Sequence, residues 1–258
     1  SVKVSVFEVF TRNGEMSETE NLSLKIKKRP RKLDYLYIAL SELIGTAILL
    51  FLNCMGNTMG IQGAISSMHV SFNSGLAVTA VIQIFGHVSG AHVNPAVTLS
   101  AFILNEITPV QVPLYLIPQI VGCIMGVGLQ LLVTPRQHIN VVGHGVCVTA
   151  PHADITDWQA LGIETILSAI LVFSVCASWD SRNSDKTDSV PLKIGLVVGV
   201  LNLAACAYTG ASMNPVRSFG PAVWSSDYSS QWVYWVGPTI GSLIATYTYK
   251  YTFLKMNP

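Results

Sequence analysis

The chain has 258 residues, of which half are hydrophobic and only 11% are charged, and its formal net charge is +1. The mean hydropathy of +0.49 is hard to reconcile with a soluble domain of this size, so the composition argues against that class and favours a membrane protein. A net charge near zero says little about nucleic-acid or acidic partners, so the distribution of charge along the chain is the more informative property. We expect no nucleic-acid partner.

The first 33 residues are polar and lack the apolar core of a signal peptide. Their composition predicts a disordered cytoplasmic tail. Eight of the 15 Lys and Arg residues precede Asp34, and such a basic segment ahead of an apolar run acts as a topology signal and is suited to contact anionic membrane lipid. The cluster next to the apolar run consists of Lys25, Lys27, Lys28, Arg29, Arg31 and Lys32.

Long apolar runs predict six transmembrane helices, each near the roughly 20 residues that cross the hydrocarbon core. With six spans both termini lie on one side, and the basic tail predicts that this side is the cytoplasm, with the plasma membrane as the expected location. Two shorter apolar stretches, 94–104 and 214–224, are too short to span and begin with Asn-Pro. The predicted spans cover residues 35–56, 68–87, 110–132, 158–178, 191–208 and 231–253.

The chain also contains an internal repeat, in which three features recur in the same order 120 to 122 positions later. Each half contains three spans, and because three is odd, the second half must enter the membrane inverted relative to the first. Broken or short helices at equivalent places in such repeats point to the transport site. The aligned pairs are Glu42 with Glu164, Asn94 with Asn214, and Pro118 with Pro238.

Each Asn-Pro segment predicts an extended strand that enters the membrane, followed by a half-helix that leaves it. Pro95 and Pro215 suit the first turn of a helix, where a missing N–H costs nothing, and the preceding Asn94 and Asn214 can cap free backbone donors. The positive ends of the two half-helices would face each other at the bilayer centre. The Asn amides would keep donors free toward a lumen.

Irregular backbone at membrane depth is tolerated only where it is buried in protein or lines water. The stretches 90–93 and 210–213 are therefore predicted to offer carbonyl oxygens along a channel, while Glu42 and Glu164 accept hydrogen bonds from their N–H groups. The alternative is that these carboxylates carry protons in a coupled transporter. The predicted pore carbonyls belong to Gly90, Ala91, His92, Gly210 and Ser212.

These predictions divide the chain into three parts. Residues 1–33 form the tail. Residues 34–157 form the first repeat, with its Asn-Pro-Ala half-helix and an extracellular loop. Residues 158–258 form the second repeat, with an Asn-Pro-Val half-helix and a short cytoplasmic C-terminus.

The five cysteines are scattered singly, without the spacing of a metal site, and they suggest no disulfide framework. Four lie in apolar runs and are interpreted as small buried hydrophobic residues, whereas Cys147 lies in a polar loop where it could react. The spans contain neither a His-Glu-x-x-His nor a Gly-x-Ser-x-Gly motif, so we expect no enzymatic activity and no cofactor. The four buried cysteines are Cys54, Cys123, Cys176 and Cys206.

The two loops resemble the signature loops of the aquaporin (major intrinsic protein) family. They read Ser-Gly-Ala-His-Val-Asn-Pro-Ala-Val-Thr from position 89 and Thr-Gly-Ala-Ser-Met-Asn-Pro-Val-Arg-Ser from position 209, and the resemblance covers 35–253. It implies an all-α membrane protein of six helices and two half-helices that assembles as a homotetramer with one pore per subunit. The second loop departs from the pattern at Val216, where we expect a conducting pore with altered packing. The signature residues are Asn94, Pro95, Ala96, Asn214, Pro215 and Val216.

The family builds its narrow selectivity filter from four positions, which fall on Ser74, Asn202, Ala211 and Arg217. A strict water channel usually has Phe, His, a small residue or Cys, and Arg there, so this chain keeps the Arg but lacks the Phe and the His. Without the Phe and His side chains the constriction is expected to be wider. Selectivity in such pores follows the pore diameter and the groups that line the pore. The resemblance thus implies passage of glycerol, urea and small polyols together with water, with a water-selective channel as the alternative.

Other residues are typical of the water-channel branch of the family. Ser218 stands where glycerol facilitators of the bacterial type carry Asp, and Ala222 and the pair Tyr234-Trp235 are those of the water-channel branch. A water-channel backbone with a polyol filter is similar to the entomoglyceroporins. His92, beside Asn94, is expected to line the pore.

Overall fold

The computed structural model describes residues 32–58, 66–139 and 147–254, and the structural statements below refer to these ranges. The tail predicted for residues 1–33 lies outside them, except for its last two residues, which begin the first helix. The described part is helical and contains no strand.

Six long helices and two short ones follow each other in the predicted order, which confirms the predicted fold class. Five of the long helices are long and apolar enough to cross a membrane. The last has 16 residues and continues as the π-helical turn Tyr249–Phe253. The helices are α1 Lys32–Gly56, α2 Ser67–Ser89, α3 Pro95–Ile103, α4 Val112–Val133, α5 Asp157–Trp179, α6 Val190–Thr209, α7 Pro215–Ser225 and α8 Val233–Thr248.

The packing of the helices follows the internal repeat. Helix α1 packs along α4, their repeat equivalents α5 and α8 pack in the same way, and α2 packs along α6 to join the two halves. A Cβ on Gly122 of α4 would clash with the carbonyl oxygen of Leu43, and one on Gly241 of α8 would clash with that of Thr165. Equivalent glycines therefore let the backbones of both helix pairs approach closely.

Large apolar side chains cover much of the outer surface. Leu132, Val200 and Ile166 are among the most exposed of them, with 80%, 65% and 62% of their surface accessible. An apolar outer face of this extent is expected of helices that contact lipid or another copy of the chain. Buried polar side chains, among them Glu42, Asn94, Glu164 and Asn214, instead lie in and behind the segments that lead into the two half-helices.

The segments before the half-helices are not extended strands, so this expectation was wrong. Ala91 and Val93 have φ values of +47° and +43°, and Ala211 and Met213 have +45° and +54°. Consecutive N–H groups of an extended strand point to opposite sides. The left-handed residues instead turn neighbouring N–H groups to one side, where a single carboxylate can accept from both.

The structure also corrects the interpretation of two cysteines. Cys54 near the end of α1 and Cys147 form a disulfide, although they are 93 residues apart in the chain. Cys147 is therefore not a reactive thiol, and Cys54 is not merely a small apolar side chain. Among the described residues Cys123 and Cys176 are free and buried, and Cys206 is free and half-buried.

Candidate functional site

A cavity of about 110 Å³ lies between the two halves of the molecule. Its wall is made by both loops that precede the half-helices and by residues of α1, α2, α5 and α6. Asn94 and Asn214 both line it. The structure thus brings the two Asn-Pro segments, 120 residues apart in the chain, to one place.

The two asparagines join the half-helices through reciprocal hydrogen bonds. Each side-chain oxygen accepts from the backbone N–H two residues later and so caps its own half-helix. Each side-chain nitrogen donates to a carbonyl of the opposite loop, so one amide hydrogen per asparagine is engaged and one is left over. The four bonds are Ala96 N to Asn94 Oδ1 (2.9 Å), Asn94 Nδ2 to Met213 O (2.9 Å), Val216 N to Asn214 Oδ1 (3.1 Å) and Asn214 Nδ2 to Val93 O (2.9 Å).

Behind each loop, a glutamate that is 0% exposed accepts hydrogen bonds from the loop backbone. Glu42 has four donors, and Glu164, at the equivalent place in the repeat, has three. The donors to Glu42 are Ser89 Oγ (2.6 Å), His92 N (2.9 Å), Val93 N (2.8 Å) and Gln119 Nε2 (2.8 Å). Those to Glu164 are Thr209 Oγ1 (2.7 Å), Ser212 N (2.9 Å) and Met213 N (2.8 Å).

Four of the five residues predicted to supply pore carbonyls line the cavity, namely Gly90, Ala91, His92 and Ser212. The fifth, Gly210, is not among the described residues of the wall. It ends α6 in a left-handed conformation, and a Cβ there would come within 3.0 Å of the Thr149 side chain, so it packs away from the cavity.

The four predicted filter residues line the same cavity, although they come from α2, α6, the second loop and α7. The Asn202 side chain makes two hydrogen bonds with neighbouring groups. Its Oδ1 accepts from Ser71 Oγ at 3.3 Å, and its Nδ2 donates to the Ala211 carbonyl at 3.4 Å. We call these four residues, Ser74, Asn202, Ala211 and Arg217, the ring. None of them is aromatic.

Arg217 is the charged member of this ring and is only 8% exposed. Its Nη1 donates to the Cys147 carbonyl oxygen at 2.7 Å. The segment that follows Cys147 is tied to α7 as well, because Thr149 Oγ1 donates to Ser218 Oγ at 2.6 Å. Ser218 in turn hydrogen-bonds Ser212 at 2.6 Å, within the second loop.

His92 also lines the cavity. Its ring stacks on that of Tyr115, with the centroids 4.4 Å apart, and lies 5.6 Å from that of Trp179. Its Nδ1 is 3.3 Å from Thr98 Oγ1. The imidazole is therefore held by neighbours from three helices while it lines the cavity.

Sequence reasoning missed two contributors to the site. The Cys147 carbonyl was missed because a backbone acceptor in a loop has no sequence signal. Asn53 of α1 lines the cavity, and its Oδ1 is buried without a hydrogen-bond partner among the described residues. A signal for Asn53 exists, since a polar residue within a predicted span usually faces the interior of the bundle.

Beyond the end of α5, Asp180 connects the loop before α6 to the end of the chain's last helix. Its carboxylate accepts from Arg182 Nε at 2.8 Å and from the Tyr249 hydroxyl at 2.9 Å. The Arg182 guanidinium holds the pKa of the Asp180 carboxyl well below its usual range. The loop is thereby anchored beside the cavity. The described residues contain no group of side chains suited to hold a metal ion.

Comparison with known proteins agrees with this geometry. Residues 30–249 match the family profile described as Major intrinsic protein. Mouse aquaporin-4 is 40% identical over 218 residues, which are 83% of this chain and 66% of the relative. Human aquaporin-5 is 36% identical over 228 residues, which are 88% of this chain and 84% of the relative.

Among solved structures, the X-ray structure of the aquaglyceroporin from Plasmodium falciparum has the same fold. Its TM-score is 0.78 at 23% identity, with 86% of this chain and 98% of the other covered. The chain spans just under two thirds of the length of aquaporin-4, as the 66% coverage of the mouse protein and 65% of the human protein show.

Proposed function

Because the chain belongs to the major intrinsic protein family, whose members are channels and not enzymes, we propose that it passes glycerol, urea and other small polyols together with water. The proposed route is the cavity between the half-helices, and the movement is passive. The observation that supports the solute range is that Ser74, Asn202, Ala211 and Arg217 line one cavity and that none of them is aromatic.

The ring offers both width and hydrogen bonds. Asn202 is held along the wall by Ser71 and the Ala211 carbonyl, so its amide does not need to extend across the lumen. A hydroxyl, an amide and a guanidinium then surround the permeating molecule. They can replace the water molecules around a polyol hydroxyl or a urea carbonyl, and such replacement governs which solutes pass.

The electrostatics of the cavity disfavour cations. The N-termini of α3 and α7 carry the positive ends of their helix dipoles and meet where the Asn94 and Asn214 side chains each donate to a carbonyl of the opposite loop. Arg217 adds a full positive charge to the ring. Positive ends of half-helices and an Arg of this kind act as barriers to cations and protons, whereas uncharged solutes do not experience them.

A proton-coupled transporter is the less favoured class, because of the surroundings of the two glutamates. Glu42 and Glu164 are fully buried and accept hydrogen bonds from the loop backbones that form the wall. A carrier residue would have to exchange protons with the lumen, and this would disrupt the bonds that shape it.

We also propose that the channel is a homotetramer in the plasma membrane with both termini in the cytoplasm. The basic residues before α1 support this orientation, since Lys and Arg concentrate on cytoplasmic segments. The disulfide supports it as well. It joins the end of α1 to the loop after α4, which then face the oxidising exterior where disulfides persist.

A water-selective channel is the second candidate, and it is favoured by the relatives named aquaporin-4 and aquaporin-5. The two candidates differ in whether glycerol passes at the ring. Both predict osmotic water flow, so water permeability alone does not separate them.

The experiment compares glycerol uptake with osmotic water permeability in liposomes containing the wild type or a Ser74→Phe, Asn202→His double variant. We expect the wild type to pass both molecules and the variant to lose glycerol uptake while retaining water flow. Ser67→Phe, a change of the same kind at an exposed position of α2, is the control and should leave both unchanged. Wild-type protein that passes water but excludes glycerol would contradict the proposed solute range and leave the water-selective channel.

A further inference from the structure

The Cys54–Cys147 disulfide lies one hydrogen bond away from the charged residue of the ring. Cys147 forms the disulfide through its side chain and accepts the hydrogen bond from Arg217 Nη1 through its carbonyl oxygen, at 2.7 Å. Cys147 is therefore joined to α1 by a covalent bond and to the arginine that lines the cavity by a hydrogen bond. In this position the disulfide affects more than the stability of a surface loop.

The anchor on the α1 side is rigid. Cys54 is fully buried, and its carbonyl accepts from Thr58 Oγ1 at 2.8 Å. Thr58 Oγ1 accepts in turn from Gln130 Nε2 of α4 at 3.1 Å. Because α1 and α4 pack closely, the sulfur of Cys54 is attached to the firmly packed first half of the molecule rather than to a loop.

The backbone at Cys147 needs such an anchor. Its φ is +69°, in the left-handed region that residues other than glycine seldom adopt. A residue in this conformation persists only when its surroundings determine it. The disulfide on one side and the Thr149–Ser218 hydrogen bond two residues later hold the segment and aim the Cys147 carbonyl at Arg217.

We propose that the Cys54–Cys147 disulfide is a positioning element of the ring, which keeps the Arg217 side chain against the wall and thereby sets how readily polyols pass. That polyols are the affected solute rests on the proposed function, whereas the contacts between the disulfide, Cys147 and Arg217 do not depend on it. Without the disulfide, the Cys147 carbonyl loses its fixed position. The guanidinium then turns into the lumen, where water can solvate it, and obstructs larger solutes more than water.

The effect can be measured on folded protein by reduction. Dithiothreitol attacks the disulfide by thiol exchange and ends as its cyclic disulfide, while Cys54 and Cys147 each gain a hydrogen as thiols. Liposomes containing the wild type are assayed for glycerol and water permeability before and after this treatment. Losing a hydrogen bond to a charged group shifts an equilibrium by roughly tenfold. We therefore expect glycerol permeability to fall roughly tenfold and water permeability roughly two- to threefold.

Three further measurements separate positioning from a general structural role. A Cys54→Ser, Cys147→Ser double variant should behave as the reduced wild type and should not respond to dithiothreitol. Cys206→Ser removes a half-buried free thiol and should respond as the wild type does. Reoxidation of the reduced wild type should restore the ratio of glycerol to water permeability, which a partly unfolded protein would not do.

Maleimide labelling establishes the state of the sample, with three reactive thiols expected for the oxidised protein and all five after reduction under denaturing conditions. If the fully reduced protein keeps both permeabilities, the positioning role is overturned. If the oxidised protein passes water but no glycerol, the proposed solute range fails instead. The disulfide is then judged on water flow, where a fall of about twofold on reduction supports it and no change overturns it.

Discussion

The two loops that precede the half-helices are built in the same way but do different work. In each, a buried glutamate accepts from two consecutive N–H groups, and a tyrosine hydroxyl donates to the carbonyl at the end of the preceding helix. Tyr115 Oη lies 2.7 Å from the Ser89 oxygen, and Tyr234 Oη lies 2.8 Å from the Thr209 oxygen. These shared contacts create the strained backbone and the junction of the asparagines.

The differences lie in the side chains that the loops present to the cavity. The first loop presents His92, which is packed against Tyr115 and Trp179. The second loop leads to Arg217, whose position in the first half is taken by Val97, three residues after Asn94. The comparison teaches that the repeat supplies the shape of the cavity, whereas residues that break the repeat supply the selectivity we propose.

The largest expected effect comes from the glutamates, where the repeat itself is imperfect. A Gln has one acceptor oxygen and one NH₂ group. With the neighbouring side chains oriented as in the structure, the NH₂ of Glu42→Gln faces two donors on either side, whereas in Glu164→Gln it can face Met213 N alone. A buried donor without a partner costs about 1–3 kcal/mol. Glu42→Gln should therefore lower the free energy of unfolding by about 2–6 kcal/mol and Glu164→Gln by about 1–3 kcal/mol.

Thermal unfolding of the purified variants in detergent measures this difference. A Gln119→Met background removes the additional donor to Glu42, and the Glu42→Gln change should then cost about as much as Glu164→Gln. Equal losses for the two single variants in the wild-type background would show that the fourth hydrogen bond of Glu42 contributes nothing.

The features that sequence reasoning predicted are those with local or repeated signals. Apolar runs located the six long helices to within a few residues, and Asn-Pro located the starts of both half-helices because the capping geometry is encoded in two adjacent residues. The backbone partners of Glu42 were predictable from its position in an apolar run and from the need of the loop amides for acceptors, whereas its side-chain donors Ser89 and Gln119 were not predicted.

The features that it missed depend on contacts between distant parts of the chain. The disulfide joins residues 93 positions apart, and apolar surroundings made Cys54 look like an ordinary packing residue. The left-handed backbone at Ala91 and Val93 has no glycine to announce it. Gly210 was predicted to line the channel as part of the stretch 210–213, but Thr149 in the loop after α4 packs against it.

The second-largest expected effect comes from the one position at which the two Asn-Pro signatures differ. Val216 is fully buried between α7 and the first half of the molecule, among Val127, Cys123 and Leu49. Val216→Ala makes the second half match Asn-Pro-Ala of the first, yet it should lower the free energy of unfolding by about 2 kcal/mol, because it removes two buried methyl groups and leaves a cavity.

Permeability should not change in this variant, since the Val216 N–H that Asn214 caps is retained. Stopped-flow water flux and thermal unfolding measure the two properties separately. The reverse change, Ala96→Val, is the matched control. It should also destabilise, by about 1–3 kcal/mol through overpacking, because Ala96 is buried and its carbonyl accepts from Ser242 Oγ at 2.7 Å. A more stable Val216→Ala protein would mean that the valine is not packed as described.

The smallest effect concerns the far ends of the half-helices. Helix α3 ends at Ile103, whose carbonyl accepts from Lys250 Nζ at 2.7 Å, whereas at the end of α7 the uncharged Ser225 hydroxyl donates to the Pro221 carbonyl at 3.0 Å. A cation at a helix C-terminus contributes about 0.3–1 kcal/mol. Lys250→Met keeps most of the apolar stem, so it should cost about that amount and lower Tm by roughly 1–4 °C.

Added salt should narrow the gap between Lys250→Met and the wild type, because a charge–dipole interaction at the surface is screened. Lys193→Met removes one positive charge from an exposed position of α6 and should leave Tm unchanged. If Tm falls equally in both lysine variants, the effect comes from the change in net charge. The end of α3 is then no better anchored than that of α7. If Tm falls only in Lys250→Met, the first half-helix is held at both ends, by Asn94 and by Lys250. The second is then held at its far end by uncharged groups, among them Trp224, whose Nε1 donates to the Ile124 carbonyl at 2.9 Å.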